Sequence, residues 1–238
     1  QGRVLEQHGY DPFALAQAEP SSTVAWTVPT RMLVQKADPA IGEELETVET
    51  EDVNACVDCH GKGGREPDRD KNPVLAGQVA AYTYKQLRDY KDGSRDNRRM
   101  SETVERLTDE QLAALAAWYA EQPMAKVEVD EDEKVSEETI KLVYRGDKTR
   151  LIQPCASCHG PRGKGAIIDV PAIAGQNVKY FVDTMKDYAK DDRTNDVYSR
   201  MRIIAKARTR EEIDELAVYY ARLGNQDGGG GLFQAFAN

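Results

Sequence analysis

Sulfur and imidazole are scarce in this sequence, whose 238 residues hold only four cysteines, five methionines and three histidines. Aromatic residues are few as well, at 7 %. No stretch approaches the roughly 18 consecutive apolar residues of a membrane-spanning helix, and the chain is expected to be soluble. The formal net charge of −9 argues against nucleic acid as a partner. No convincing strand alternation appears anywhere. The glycine-rich turns Gly61-Lys62-Gly63-Gly64 and Gly163-Lys164-Gly165 lack the G-x-x-x-x-G-K-[ST] spacing of a phosphate loop. At Gln1 the chain opens with neither a basic nor an apolar leader segment, so any export signal is expected to have been removed already.

The cysteines that are present fall in two runs of one form, Cys56-Val57-Asp58-Cys59-His60 and Cys155-Ala156-Ser157-Cys158-His159. Cys-x-x-Cys-His is the attachment signature of a c-type haem. Thiols at i and i+3 reach the two vinyl groups of one porphyrin, and the adjacent histidine reaches its iron. No cysteine is left for a disulfide or a nucleophile. Structural zinc usually draws on two neighbouring pairs of ligands, whereas these pairs lie 99 residues apart. A thioredoxin-like pair calls for a βαβ setting that neither run has. Two covalently bound haem c groups are therefore expected. Haem is itself a large apolar body, so a domain of about 80 to 100 residues can close around it with few other core side chains. Covalent attachment is normally completed outside the bacterial cytoplasm, which makes the periplasm the expected location.

The chain repeats itself. Pro73-Val74-Leu75-Ala76-Gly77-Gln78 matches Pro171-Ala172-Ile173-Ala174-Gly175-Gln176, and Tyr82, Tyr90 and Arg95 match Tyr180, Tyr188 and Arg193. After a short insertion, Met100, Thr108 and Tyr119 match Met201, Thr209 and Tyr220. Within each copy the apolar period is helical, as in Val79, Tyr82, Gln86, Leu87 and Tyr90. Thr108-Asp109-Glu110-Gln111 and Thr209-Arg210-Glu211-Glu212 read as capping boxes, and Gly224 as the stop of the last helix. Ser136 is expected to cap a helix ending at Gly146, with a comparable helix between Pro39 and Val48. The fold class is all-α. Residues 38–122 and 136–225 are the two expected haem domains. Residues 123–135 form an acidic linker, 1–37 an extended N-terminal arm with Pro12, Pro20 and Pro29, and 226–238 a flexible glycine-rich tail.

His60 and His159 supply one iron ligand each. Met100 and Met201 recur at equivalent points, each in an expected loop between two helices, and are the candidates for the opposite face. A thioether favours ferrous iron and raises the potential. Packing is the competing role, assigned here to the unmatched Met32, Met124 and Met185. The carbonyl of Pro73 or Pro171 is placed to accept the Nδ1 proton of its histidine, although a proline that merely ends a loop fits the same pattern. Arg95 and Arg193, preceded by tyrosines, are candidates for the haem propionates. His8 reads as a surface residue. Basic residues gather at Arg88, Lys91, Arg95, Arg98, Arg99 and Arg106, and again at Arg193, Arg200, Arg202, Lys206, Arg208 and Arg210. They would steer a redox partner or simply form solvated faces.

On these residues the chain resembles the diheme cytochrome c4 family. Cys-x-x-Cys-His-Gly occurs twice, with Pro-x-Leu-Ala-Gly-Gln, Pro-x-Ile-Ala-Gly-Gln, the two repeated methionines and Leu142-Val143-Tyr144-Arg145-Gly146-Asp147. The resemblance spans about residues 39 to 224. It implies two tandem class I cytochrome c domains related by a pseudo-twofold, with haem edges facing across the interface. It also implies periplasmic electron transfer, often toward a terminal oxidase, with a donor dehydrogenase or quinol-oxidising complex on the other side. The long arm is a departure from the family that leaves the identity of the partner open, a complex formed through the arm being one alternative. A cytochrome subunit of a sulfur-compound-oxidising complex is the alternative. A diheme peroxidase or thiosulfate dehydrogenase needs an exchangeable iron position, and only His8 is spare, so an electron carrier rather than an enzyme is expected.

Overall fold

The computed structural model describes residues 33–49, 54–130, 132–166 and 170–225. His8, Met32, the expected tail and all but the last residues of the expected arm lie outside them. The first half carries α1 (Pro39–Leu45), α2 (Cys56–His60), α3 (Ala80–Asp92), α4 (Arg98–Val104) and α5 (Asp109–Glu121). The second repeats the plan with α6 (Glu137–Arg145), α7 (Cys155–His159), α8 (Val178–Lys190), α9 (Arg200–Lys206) and α10 (Arg210–Gly224). Among the described residues no strand forms beyond two isolated bridges. The fold is all-α, in two halves of one design.

Local chemistry explains where the long helices begin. The Thr108 hydroxyl accepts from Gln111 N at 3.3 Å while Gln111 Oε1 accepts from Thr108 N at 2.8 Å. Thr209 and Glu212 repeat the exchange at 3.2 and 3.0 Å. Each box satisfies two amide donors that a helix start leaves open. Ser136 caps α6 through Thr139 N, and Gly146 ends it with φ 66°. At the far end α10 does stop at Gly224, but without a left-handed glycine cap. Gly224 is inside the helix, and Asn225 caps it in a right-handed conformation. The glycine serves close packing instead: a Cβ on Gly224 would sit 2.2 Å from the Gly175 Cα.

In the first half α1 crosses α5 so closely that a Cβ on Gly42 would fall 2.2 Å from the Ala114 carbonyl oxygen. The crossing closes a core of Tyr84, Tyr90, Val104, Leu112, Ala113 and Ala116. Leu33, Val34 and Ala37 pack on it too, with a helical turn at 33–36, so the last stretch assigned to the arm contributes core residues. The second half encloses Val143, Phe181, Met185, Ile213, Leu216 and Tyr220. Fully burying a side chain such as Leu112 or Leu216 contributes roughly 1.5–3 kcal/mol. Residues 123–130 and 132–135 form no helix or strand, yet they are tied down. Val127 N and O pair with the Asn225 side chain at 2.9 and 2.8 Å, and Arg222 donates to the Asp130 and Glu133 carbonyls.

Candidate functional site

Helices α2 and α7 are single turns that bury one histidine each and set two thiols at i and i+3 beside it. The His60 Nδ1–H donates to the Pro73 carbonyl at 3.0 Å, and the His159 Nδ1–H donates to the Pro171 carbonyl at 2.9 Å. A carbonyl can only accept, so the proton sits on Nδ1 and the lone pair is on Nε2. Burial pushes His60 below its usual pKa range, opposed by the Pro73 carbonyl and by Asp68. The ring is thereby kept neutral and ready to ligate.

The proline loops are fixed from below. Leu75 N and Ala76 N both donate to the Gly64 carbonyl, and Ile173 N and Ala174 N to the Gly163 carbonyl. Gly64 and Gly163 take positive φ values of 68° and 61°. A Cβ on either would come within about 3.0 Å of the ring of Tyr119 or Tyr220. These glycines turn the chain beneath the buried tyrosines.

The four cysteines are unpaired. Burial pushes the Cys56 and Cys155 thiols up in pKa, against the hydroxyls of Tyr119 and Tyr220 and, at Cys155, the charge of Arg208. Among the described residues no cluster of three or more His, Cys, Asp or Glu is arranged to hold a metal ion.

A single cavity of about 1140 Å³ runs across both halves. Cys56, His60 and Met100 line one end, and Cys155, His159 and Met201 the other. The methionines differ from expectation in their setting: both lie in the first turns of short helices, α4 and α9, not in loops. Asn97 caps α4 by accepting from Met100 N at 3.1 Å, which fixes that residue at the cavity wall.

Between the two ends stand Arg95 and Arg193. Arg95 donates to Gln86 Oε1 and the Tyr180 hydroxyl at 2.8 and 3.1 Å. Arg193 donates to Asn195 Oδ1, Gln86 Oε1 and the Tyr82 hydroxyl at 2.8 to 3.0 Å. Each guanidinium lies over a ring, Tyr90 or Tyr188, at 4.6 Å. Burial pushes the Tyr180 phenol up, but the two guanidiniums outweigh it and bring the phenol down to about 8. Among the described residues neither arginine is paired with a carboxylate, and Arg193 Nη1 is buried with no partner. Two close cations with only neutral partners call for an anion. Thiols at i and i+3, a neutral imidazole, a thioether and an anion-seeking arginine at each half make a donor set that fits haem c with its propionates.

Three arrangements escaped the sequence reading. Lys85 and Asp89 form an ion pair whose side chains are 2 % and 1 % exposed. The only hint was a break in the repeat, since Lys85 corresponds to Asp183. Glu46 is buried and accepts from Gly63 N at 3.1 Å. Arg208, counted among the basic surface residues, is buried beside Cys155, where the first half has Leu107. With Arg95 and Arg193 it turns inward, so the basic surface is smaller than the composition suggests.

Known proteins are similar to this chain in sequence and in fold. Residues 51–121 match the family model described as Cytochrome c. A thiosulfate dehydrogenase electron acceptor from Stutzerimonas stutzeri (strain A1501) is 31 % identical over 83 % of this chain and 93 % of its own length. Cytochrome c4 from Pseudomonas aeruginosa is 34 % identical over 69 % of this chain and 81 % of its own. The solved structure of reduced recombinant cytochrome c4 from Pseudomonas stutzeri superposes with a TM-score of 0.68 at 28 % identity, covering 78 % of this chain and 98 % of that one.

Proposed function

The chain belongs to the diheme cytochrome c4 family, carries two covalently bound haem c groups and serves as an electron carrier, and we propose that each iron is held between a histidine and a methionine. In that reading His60 and Met100 hold one, and His159 and Met201 the other. The observation that carries it is the shared cavity, which both histidines and both methionines line at equivalent points of the two halves. Haem iron, when bound, supplies a one-electron couple. This chain's residues then do the rest. The Pro73 and Pro171 carbonyls hold the imidazoles in one tautomer, Arg95 and Arg193 neutralise the propionates, and the buried cores exclude water. Arg208 stands beside Cys155 where the first half has Leu107, so the two sites are electrostatically unequal and the two potentials differ.

The protein works in the periplasm, between a donor dehydrogenase or quinol-oxidising complex and a terminal acceptor such as an oxidase. A second reading, an electron acceptor within a sulfur-compound-oxidising system, is favoured by the likeness to the thiosulfate dehydrogenase electron acceptor over most of both chains. The ligand assignment is tested by Met100→Ala. That variant should open one iron to cyanide or carbon monoxide and abolish its thioether–iron absorption band, while the other haem's band persists. An unchanged spectrum refutes the methionine ligand. Stopped-flow oxidation by a purified oxidase, set against reduction by a thiosulfate dehydrogenase, separates the two readings of the partner.

A further inference from the structure

We propose that Gln78 and Gln176 are reciprocal positioning residues, each holding the peptide that orients the iron-binding histidine of the opposite half. This rests on His60 and His159 ligating iron. Gln78 lies in the first half, yet its side chain brackets Ala172 of the second: Ala172 N donates to Gln78 Oε1 at 2.7 Å, and Gln78 Nε2 donates to the Ala172 carbonyl at 2.9 Å. Gln176 returns the contact. Val74 N donates to its Oε1 at 2.8 Å, and its Nε2 donates to the Val74 carbonyl at 3.1 Å. Val74 and Ala172 directly follow Pro73 and Pro171, the residues whose carbonyls accept from the two histidines. A continuous path therefore runs from His60 through Pro73 and Val74 to Gln176, and another from His159 through Pro171 and Ala172 to Gln78.

The geometry is demanding. Both glutamines and both bracketed residues are buried, so water cannot replace a lost bond, and an orphaned amide in such a place is costly. Each primary amide uses its donor and its acceptor on one residue, as a neighbouring strand would, and the N–H it accepts from belongs to the same peptide plane as the proline carbonyl, which fixes that plane. Each Oε1 also accepts from the next residue of its own chain, Val79 N at 2.8 Å or Asn177 N at 2.9 Å, which locks the rotamer. The plane of the bracketed peptide in turn aims the proline carbonyl at Nδ1. A well-aimed carbonyl makes the imidazole more electron-rich, which favours ferric iron and lowers the potential.

The exchange is not symmetric. Asn177 Nδ2 donates to the Asn72 carbonyl at 2.8 Å, so the first half's loop is gripped on both sides of Pro73. Its counterpart in the first half is Val79, which has no side-chain donor.

The test is crossed. Gln78→Leu should raise the midpoint potential of the second half's haem and speed exchange of the His159 Nδ1 proton, leaving the first half's values in place. Gln176→Leu should do the same to the first half alone. Asn177→Val, a half-buried position less prone to upset folding, should shift the first half in the same direction by less. Paramagnetic NMR of the intact holoprotein, followed through a redox titration, assigns each potential and each imidazole proton to its haem. Shifts confined to the mutated half, equal shifts in both, or none at all would overturn the proposal while hyperfine-shifted imidazole signals stay visible. Absence of those signals in the unmodified protein would instead overturn the histidine ligation on which it rests.

Discussion

Replacing Lys85 by Met is the sharpest probe of how the two halves are held together. Lys85 Nζ lies 2.5 Å from Asp89 Oδ2 and 2.7 Å from the Asn195 carbonyl across the interface. Asn195 Nδ2 closes the triangle, donating to Asp89 at 2.5 Å. At an effective dielectric constant of about 20 the Coulomb attraction of such a pair is roughly 6–7 kcal/mol. Desolvating two ions costs several kcal/mol each, so the intact pair contributes little net stability. Breaking it is another matter. Met keeps the apolar stem and removes the charge, leaving a buried carboxylate, at a cost of about 3–5 kcal/mol. Burial already pushes the Asp89 carboxyl up, with Lys85 the main opposing influence. Without Lys85 it rises further, the folded state then binds more protons than the unfolded one, and stability falls as pH rises. Urea unfolding at a mildly acidic and a neutral pH should thus show the larger loss at neutral pH. The double variant Lys85→Met/Asp89→Leu removes both charges and should recover most of the loss. A single-variant loss under about 1 kcal/mol, or a double variant no better than the single, refutes the reasoning.

Two further outcomes follow from packing and charge. The Glu215 carboxyl is raised by burial but lowered more by bonds from Ser136 N, Ser136 Oγ and Thr139, leaving it below its usual range. It therefore adds stability above its unfolded pKa of about 4.3 that is lost as pH falls through the lower folded value. Ser136→Ala should cost about 1 kcal/mol at neutral pH through the lost cap and flatten the acid limb of a pH series of urea midpoints. A limb parallel to that of the unmodified protein contradicts this. Gly42→Ala should push α1 off α5, because its Cβ meets the Ala114 carbonyl oxygen and the Trp118 Cβ at 2.2 and 2.6 Å. A loss of about 1–3 kcal/mol is expected in thermal unfolding, and an unchanged midpoint would show that the crossing can relax.

Much of the architecture was legible because its signals are local. The capping boxes at Thr108 and Thr209 and the cap at Ser136 each involve residues three apart, a distance that propensity and pattern can read. The repeat was legible because one plan was used twice. Gly224 marked the end of α10, but a glycine at a helix end serves equally as a left-handed cap or as a close contact, and only its neighbour Gly175 decides which. The methionines were assigned to loops because α4 and α9 are only seven residues each, too short for an apolar period to show.

By itself the sequence determined how many haems the chain carries, that the fold is helical and that it is doubled. Those properties depend on covalent spacing and on periods of three to four residues. Tertiary structure alone decided which basic residues turn inward, that Lys85 has a buried carboxylate beside it, and that Gln78 grips Ala172 while Gln176 grips Val74. These partners stand 94 to 102 residues apart wherever they cross between the glutamines and their peptides, and nothing in local pattern encodes such a meeting. Burial and hydrogen-bond satisfaction are settled only when distant surfaces close on one another and exclude water.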